Sequence, residues 1–132
     1  QVECARLLLE VGAATDQAMN DGTTPLSAAG LAGEIDCVRL MIAAGAAVNQ
    51  ADAEGFTPLY ITCEKGHLEC ARLLLESSAA VNQARISGST PLYIACERGQ
   101  LECVQLLLEA SATVNQADAE GVTPLFMACW KG

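Results

Sequence analysis

The chain carries seven cysteines and one histidine, the side chains best suited to metal ligation, disulfide formation or nucleophilic chemistry. The cysteines fall into two columns. Cys4, Cys37, Cys70 and Cys103 are each 33 residues apart; so are Cys63, Cys96 and Cys129, with Gly30 in the fourth place. A thiol column can be a ladder of metal sites, a disulfide framework or a row of small core hydrophobes. Metal ligation wants two Cys or His within a few residues of each other, and neither column offers a CxxC pair or a His partner at ligand spacing. An odd number of cysteines fits poorly with a closed disulfide framework. The columns are therefore expected to be reduced thiols packed as small hydrophobes, with no metal site. His67 stands alone, and no Ser–His–acid or Cys–His set can be completed around it. There is no Gly-rich phosphate loop and no EF-hand spacing. The reading is of a chain without catalytic residues or cofactors, and not an enzyme.

Composition narrows the remaining classes. The 132 residues are 52% apolar and 17% charged, too apolar for a disordered tail, and the length suits one domain over 1–132. Only five residues are aromatic, so Leu, Ala, Val, Ile and Cys must build the core. Seven Lys and Arg against sixteen Asp and Glu leave a formal charge of -9, which argues against nucleic acid as a partner because phosphate affinity comes from basic side chains. No apolar run approaches the ~20 residues of a membrane helix, and the start Gln1-Val2-Glu3 has no basic and apolar leader. With reduced thiols, this predicts a cytoplasmic or nuclear protein that is neither secreted nor membrane-bound. The missing initiator Met suggests a fragment or an engineered chain.

What positions these residues is a repeat. Thr24-Pro25-Leu26 returns as Thr57-Pro58-Leu59, Thr90-Pro91-Leu92 and Thr123-Pro124-Leu125, in steps of 33. Gly22, Gly55, Gly88 and Gly121 keep the same step. Tyr60 to Glu76 matches Tyr93 to Glu109 at 12 of 17 positions, with no insertion. In the unit 52–84, Asp52-Ala53-Glu54-Gly55 predicts a turn. Thr57 is placed to cap a short helix whose first residue is Pro58, where a missing N–H costs nothing. Gly66 ends that helix near Lys65. A second helix starts near His67 or Leu68 and carries Leu73-Leu74-Leu75. Neither helix reaches the ~12–15 residues at which an isolated helix is even marginal. Leu68, Cys70, Ala71, Leu74 and Leu75 cover more than one face, so neighbours must press from two sides, as in a solenoid.

Turn, Gly-x-Thr-Pro-Leu, helix, Gly, helix and Leu-Leu-Leu at this period resemble the ankyrin repeat over the whole chain. The family usually has His after Thr-Pro-Leu; here those places hold Ser27, Tyr60, Tyr93 and Phe126. Its Gly-His bend survives only at Gly66-His67, where His67 is expected to make turn hydrogen bonds. Gly after the leucine run is kept as Gly12 and Gly45 but becomes Ser78 and Ser111. The Asp opening the turn is kept as Asp52 and Asp118 but is Met19 and Arg85 elsewhere. The resemblance implies an all-α solenoid of antiparallel helix pairs joined by β-turn or hairpin-like tips. Full units would be 19–51, 52–84 and 85–117, with 1–18 the second half of a unit and 118–132 the first half of another.

The two end pieces together make one unit. Each has a helix with an apolar face and no partner, which raises the expectation of head-to-tail self-association through uncapped ends. The resemblance further implies a protein-interaction scaffold that holds another protein, of unknown identity, on its turn tips and the concave face of its first helices. Carried over, the tip positions are Asn20, Asp21 and Thr23; Ala53, Glu54 and Phe56; Ile86, Ser87 and Ser89; Ala119, Glu120 and Val122. The first-helix positions are Leu31, Ala32, Glu64, Lys65, Glu97, Arg98, Trp130 and Lys131. Phe56, Ile86 and Val122 are apolar where solvent favours polar residues, the pattern of a contact patch. Lys65, Arg98 and Lys131 form a basic row in an acidic protein, or else local ion pairs with Glu64 and Glu97. Two other roles fit the same residues: the targeting arm of a larger enzyme or signalling protein, and an engineered or structural assembly of repeats.

Overall fold

The computed structural model describes residues 1–132. It contains eight helices and no strand: α1 (Val2–Glu10), α2 (Pro25–Ala32), α3 (Ile35–Ala43), α4 (Pro58–Lys65), α5 (Leu68–Glu76), α6 (Pro91–Glu97), α7 (Leu101–Glu109) and α8 (Pro124–Lys131). Each helix is only seven to nine residues long, so packing rather than helix propensity must hold it. They stack in two layers. The first helices α2, α4, α6 and α8 lie side by side in one, and α1, α3, α5 and α7 in the other.

Local chemistry starts and stops every first helix. Thr24, Thr57, Thr90 and Thr123 are in extended conformation, and their hydroxyls accept the backbone N–H of Ser27, Tyr60, Tyr93 and Phe126. The following proline occupies the first helical position, where its missing N–H has no intrahelical role. At the other end Gly66, at φ +74°, closes α4 in the left-handed region. The His67 ring lies at this bend, with Nε2 3.2 Å from the Leu31 carbonyl of the preceding unit. At the ends of the second helices, Gly12 and Gly45 adopt φ +93° and +85°; Ser78 and Ser111 are forced into the same region at +67° and +63°. A side chain there costs about 1 kcal/mol, partly offset by the greater unfolded-state freedom of glycine. Replacing both serines by glycine is therefore expected to raise stability by about 1 kcal/mol in total, read as a higher urea midpoint.

Two leucine-rich columns run through the stack. Leu26, Leu59 and Leu92 form one on the first helices; Met41, Leu74 and Leu107 form the other on the second helices, and all six are buried in one continuous core. Tips are joined by backbone hydrogen bonds: the amides of Ala53, Ile86 and Ala119 donate to the carbonyls of Asp21, Glu54 and Ser87, at 2.9, 3.1 and 2.9 Å. Each tip is closed hairpin-fashion, as where the Asp52 amide donates to the Phe56 carbonyl. Asp52 Oδ1 accepts the amides of Glu54 and Phe56, and Asp118 Oδ1 those of Glu120 and Val122. A short carboxylate at the start of the turn thus orders its tip.

Candidate partner-binding groove

The tips project beyond the first helices and leave a groove along α4, α6 and α8. A cavity of about 310 Å³ opens where α4 and α6 meet their tips, with Tyr60, Arg85, Tyr93, Glu97 and Asp118 in its wall. A second, of about 270 Å³, shares Tyr93, Glu97 and Asp118 and continues to Glu120, Trp130 and Lys131. Together they make one furrow crossing three units.

Its polar groups are largely fixed by one another. The Tyr60 hydroxyl lies 3.0 Å from Ser89 Oγ, and Ser89 Oγ 3.2 Å from Ser87 Oγ. Phe56 packs edge-on against Tyr60 with ring centroids 5.3 Å apart. The Arg85 guanidinium sits 4.1 Å above the Phe56 ring centre, a cation–π arrangement, and reaches Glu54 at 3.3 Å. Its Nε is buried without a hydrogen-bond partner. Arg98 Nη2 donates to Glu64 Oε1 of the preceding unit at 3.0 Å. Burial pushes the Tyr60 phenol up against the opposing effect of its Ser89 hydrogen bond. Burial, reinforced by the Asp118 charge, pushes Tyr93 up to about 12. Both rings are therefore neutral phenols at physiological pH, able to donate and accept. Glu97, Glu120 and Lys131 make no ion pair within the chain.

The sequence-selected positions divide into two sets. Asn20, Asp21, Glu54, Ile86, Ser87 and Glu120 are exposed on the tips, with Ile86 76% exposed. Asp21 also ties its own turn: its Oδ1 accepts the Thr23 amide, and that bond holds the carboxyl below the ordinary range. Thr23, Phe56, Ser89 and Val122 are different. They are successive members of one column, none is exposed, and Ser89 is buried. The expectation of outward tips is corrected here. The tip turns back on itself one residue before the capping threonine, which points this side chain onto the first helix. Ser89 is accordingly occupied by Tyr60 and Ser87, and Phe56 is half-spent on Tyr60 and Arg85. Arg98 and Lys131 border the furrow, while Lys65 is exposed outside both cavities. Trp130 is 71% exposed and leans on Phe126, with ring centres 5.2 Å apart. Sequence reasoning missed Tyr60, Arg85 and Tyr93 as groove residues. They stand where the repeat pattern has His or Asp, so the departures themselves were the signal.

All seven cysteines are free thiols. Cys63, Cys70 and Cys103 are buried, as expected of small core hydrophobes; Cys4 and Cys129, on the outermost helices, are exposed, against that expectation. A hydrogen bond with Cys103 and its own burial push the Cys63 thiol well above the ordinary range, which suits packing and not nucleophilic attack. No helix is long and apolar enough to cross a membrane.

No curated protein gives a significant sequence match. The family model described as ankyrin repeats (3 copies) matches residues 1–85 and 78–132. Since that match runs over the same turns and paired helices that shape the furrow, the chain belongs to the ankyrin repeat family.

Proposed function

We propose that this chain, a member of a family whose repeats are generally protein-interaction modules, holds a segment of another protein in the furrow between its tips and first helices, without chemistry of its own. The observation that carries this reading is the continuity of the two cavities, walled by Tyr60 and Tyr93; Ile86, next to the cavity residue Arg85 on the tip, is exposed. Neutral phenols, an aromatic-stacked guanidinium and one projecting aliphatic side chain are the groups that make energetic anchors in protein interfaces. Arg85 and Arg98 are already paired with Glu54 and Glu64, so among the remaining charges of the furrow Glu97, Asp118 and Glu120 outnumber Lys131. With a net charge of -9 over the chain, this favours a partner segment carrying Lys or Arg. Seven free thiols, three of them buried, support a reducing compartment, the cytoplasm or nucleus, as its setting.

Ile86→Asp is expected to weaken partner binding at least tenfold, about 1.4 kcal/mol, and leave the helical signal unchanged because Ile86 supports no helix. Phe56→Asp is expected to weaken binding too, with some loss of stability, since Phe56 packs on Tyr60 and Arg85. The check is affinity capture with three baits in parallel: the native chain, Ile86→Asp, and Arg72→Glu on α5 in the other layer. Proteins held by the first and third and lost by the second support the groove. Proteins lost only with Arg72→Glu would move the site to the opposite layer.

A further inference from the structure

Three of the four tips tie their own turn with a carboxylate. Asp52 Oδ1 accepts the amides of Glu54 and Phe56, and Asp118 Oδ1 those of Glu120 and Val122, each at 2.9 Å. In the first tip Met19 takes the place of that aspartate, and Asp21 Oδ1 accepts the Thr23 amide at 2.9 Å instead. The third tip differs. Arg85 stands at the opening position, and a guanidinium has no acceptor atom. The amides of Ser87 and Ser89 make no hydrogen bond within the chain.

The backbone of this tip nevertheless follows its neighbours. The Arg85 amide donates to the Ser89 carbonyl at 3.0 Å, as Asp52 does to Phe56 at 3.1 Å and Asp118 to Val122 at 2.9 Å. Gly55, Gly88 and Gly121 turn at φ +86°, +86° and +84°. The Ser87 and Ser89 N–H groups therefore converge as those of Glu54 and Phe56 do, on a point suited to one carboxylate oxygen. Arg85, Ser87 and Ser89 all line the cavity between α4 and α6. Ser89 is 5% exposed, and a buried N–H without a partner is rare in folded proteins. Arg85 Nη2 reaches Glu54 at 3.3 Å, but its Nε is buried with no partner. Glu54 itself is 70% exposed and accepts from neither serine amide.

We propose that the third tip is a carboxylate-binding site. An Asp or Glu side chain of the bound segment supplies the oxygen that Asp52 and Asp118 supply in their own tips. The amides of Ser87 and Ser89 and the Nε of Arg85 donate to it, in charge-assisted hydrogen bonds. A carboxylate fits better than a phosphate, because two neighbouring tips hold a carboxylate oxygen in this geometry. A dianion would also meet stronger repulsion from Glu97 and Asp118 in the same cavity. The site rests on the furrow reading for the source of its carboxylate, and it sharpens that reading. Asp118 and Glu120 stand on the next tip, one helix spacing of about 10 Å further on. The segment thus places an acidic residue at the third tip and a basic one beyond it, which sets its register and direction.

Amide NMR with acetate as the probe, against chloride at equal ionic strength, reads the site without any partner. The Ser87 and Ser89 amide protons should move downfield saturably, while those of Glu54, Phe56, Glu120 and Val122 stay in place. In Arg85→Asn the new side-chain oxygen takes both amides, so the response should be lost with circular dichroism unchanged. In Arg85→Lys, which keeps the charge and offers no acceptor, it should persist. No saturable shift at Ser87 and Ser89, or an equal shift with chloride, would overturn the site. Selection of displayed random peptides on the native chain and on Arg85→Asn tests the source. The native chain should enrich Asp or Glu at a fixed distance from Lys or Arg, and the variant should enrich the basic residue alone. Basic residues enriched on the native chain without an acidic one would overturn the segment's carboxylate and leave the furrow reading standing. An acetate response with no peptide enriched would overturn the furrow reading and keep the anion site.

Discussion

Leu74→Ala is expected to remove about 3–4 kcal/mol of stability, near the upper part of the range for leucine truncation in a packed core. Leu74 is fully buried at the centre of the array, between the units on either side. Short helices leave little slack for collapse into the cavity, because neither α4 nor α5 can shift without opening its joints to the next unit. A domain of this size has a total stability of roughly 5–15 kcal/mol, so the loss is a large part of what holds it together. The matched control is Leu8→Ala. It stands in the same column on a helix of nearly the same sequence, but is mostly exposed. Its cost should be about 0.5–1 kcal/mol. Urea unfolding followed by circular dichroism reads both values from the midpoint shift. Equal shifts for the two variants would mean that burial is not what separates them.

Gly55→Ala should be nearly as damaging for a different reason. Gly55 adopts φ +86°, and a Cβ there would fall 2.8 Å from Arg85 Cα and 2.8 Å from the Ile86 nitrogen. Both are backbone atoms of the next tip, so no side-chain rotation relieves the collision. The tips must separate, which breaks the Ile86 amide bond to the Glu54 carbonyl and disturbs the Arg85 stack on Phe56. Left-handed strain of about 1 kcal/mol plus overpacking of 1–3 kcal/mol gives an expected loss of about 3 kcal/mol. Gly121→Ala isolates the strain alone: φ is +84° and nothing lies within 4 Å of its added Cβ. That variant should lose only about 1 kcal/mol. Comparable losses at the two sites would show that tip-to-tip approach contributes nothing.

The frame was legible because local and repeating signals agree. Thr57-Pro58 fixes a helix start, Gly66 fixes its end, and both recur at the same interval, so propensity and period could not point to different folds. The buried columns followed from the same register. The groove was less legible, for reasons visible at particular residues. Ser89 lies in a polar tip, and nothing in its neighbours along the chain reveals that Tyr60, from the preceding unit, claims its hydroxyl. Phe56 reads as an exposed aromatic until Arg85 is seen above its ring. Arg98 reads as part of a basic row until Glu64 is seen beside it. Each missed relationship joins residues 29 to 34 positions apart. The repeat predicts that such residues are neighbours, but not which way their side chains turn.

The bonds that join one unit to the next have a consequence on an evolutionary scale. Because every joint uses the same backbone groups at the same offset, excising one whole unit brings together surfaces already shaped to meet: without residues 52–84, the Asp21 carbonyl would face the Ile86 amide in the place of Ala53. Recombination between units of a gene can therefore lengthen or shorten the furrow in single steps, each leaving a foldable chain. Point substitution within the tips then changes the side chains that each added length presents.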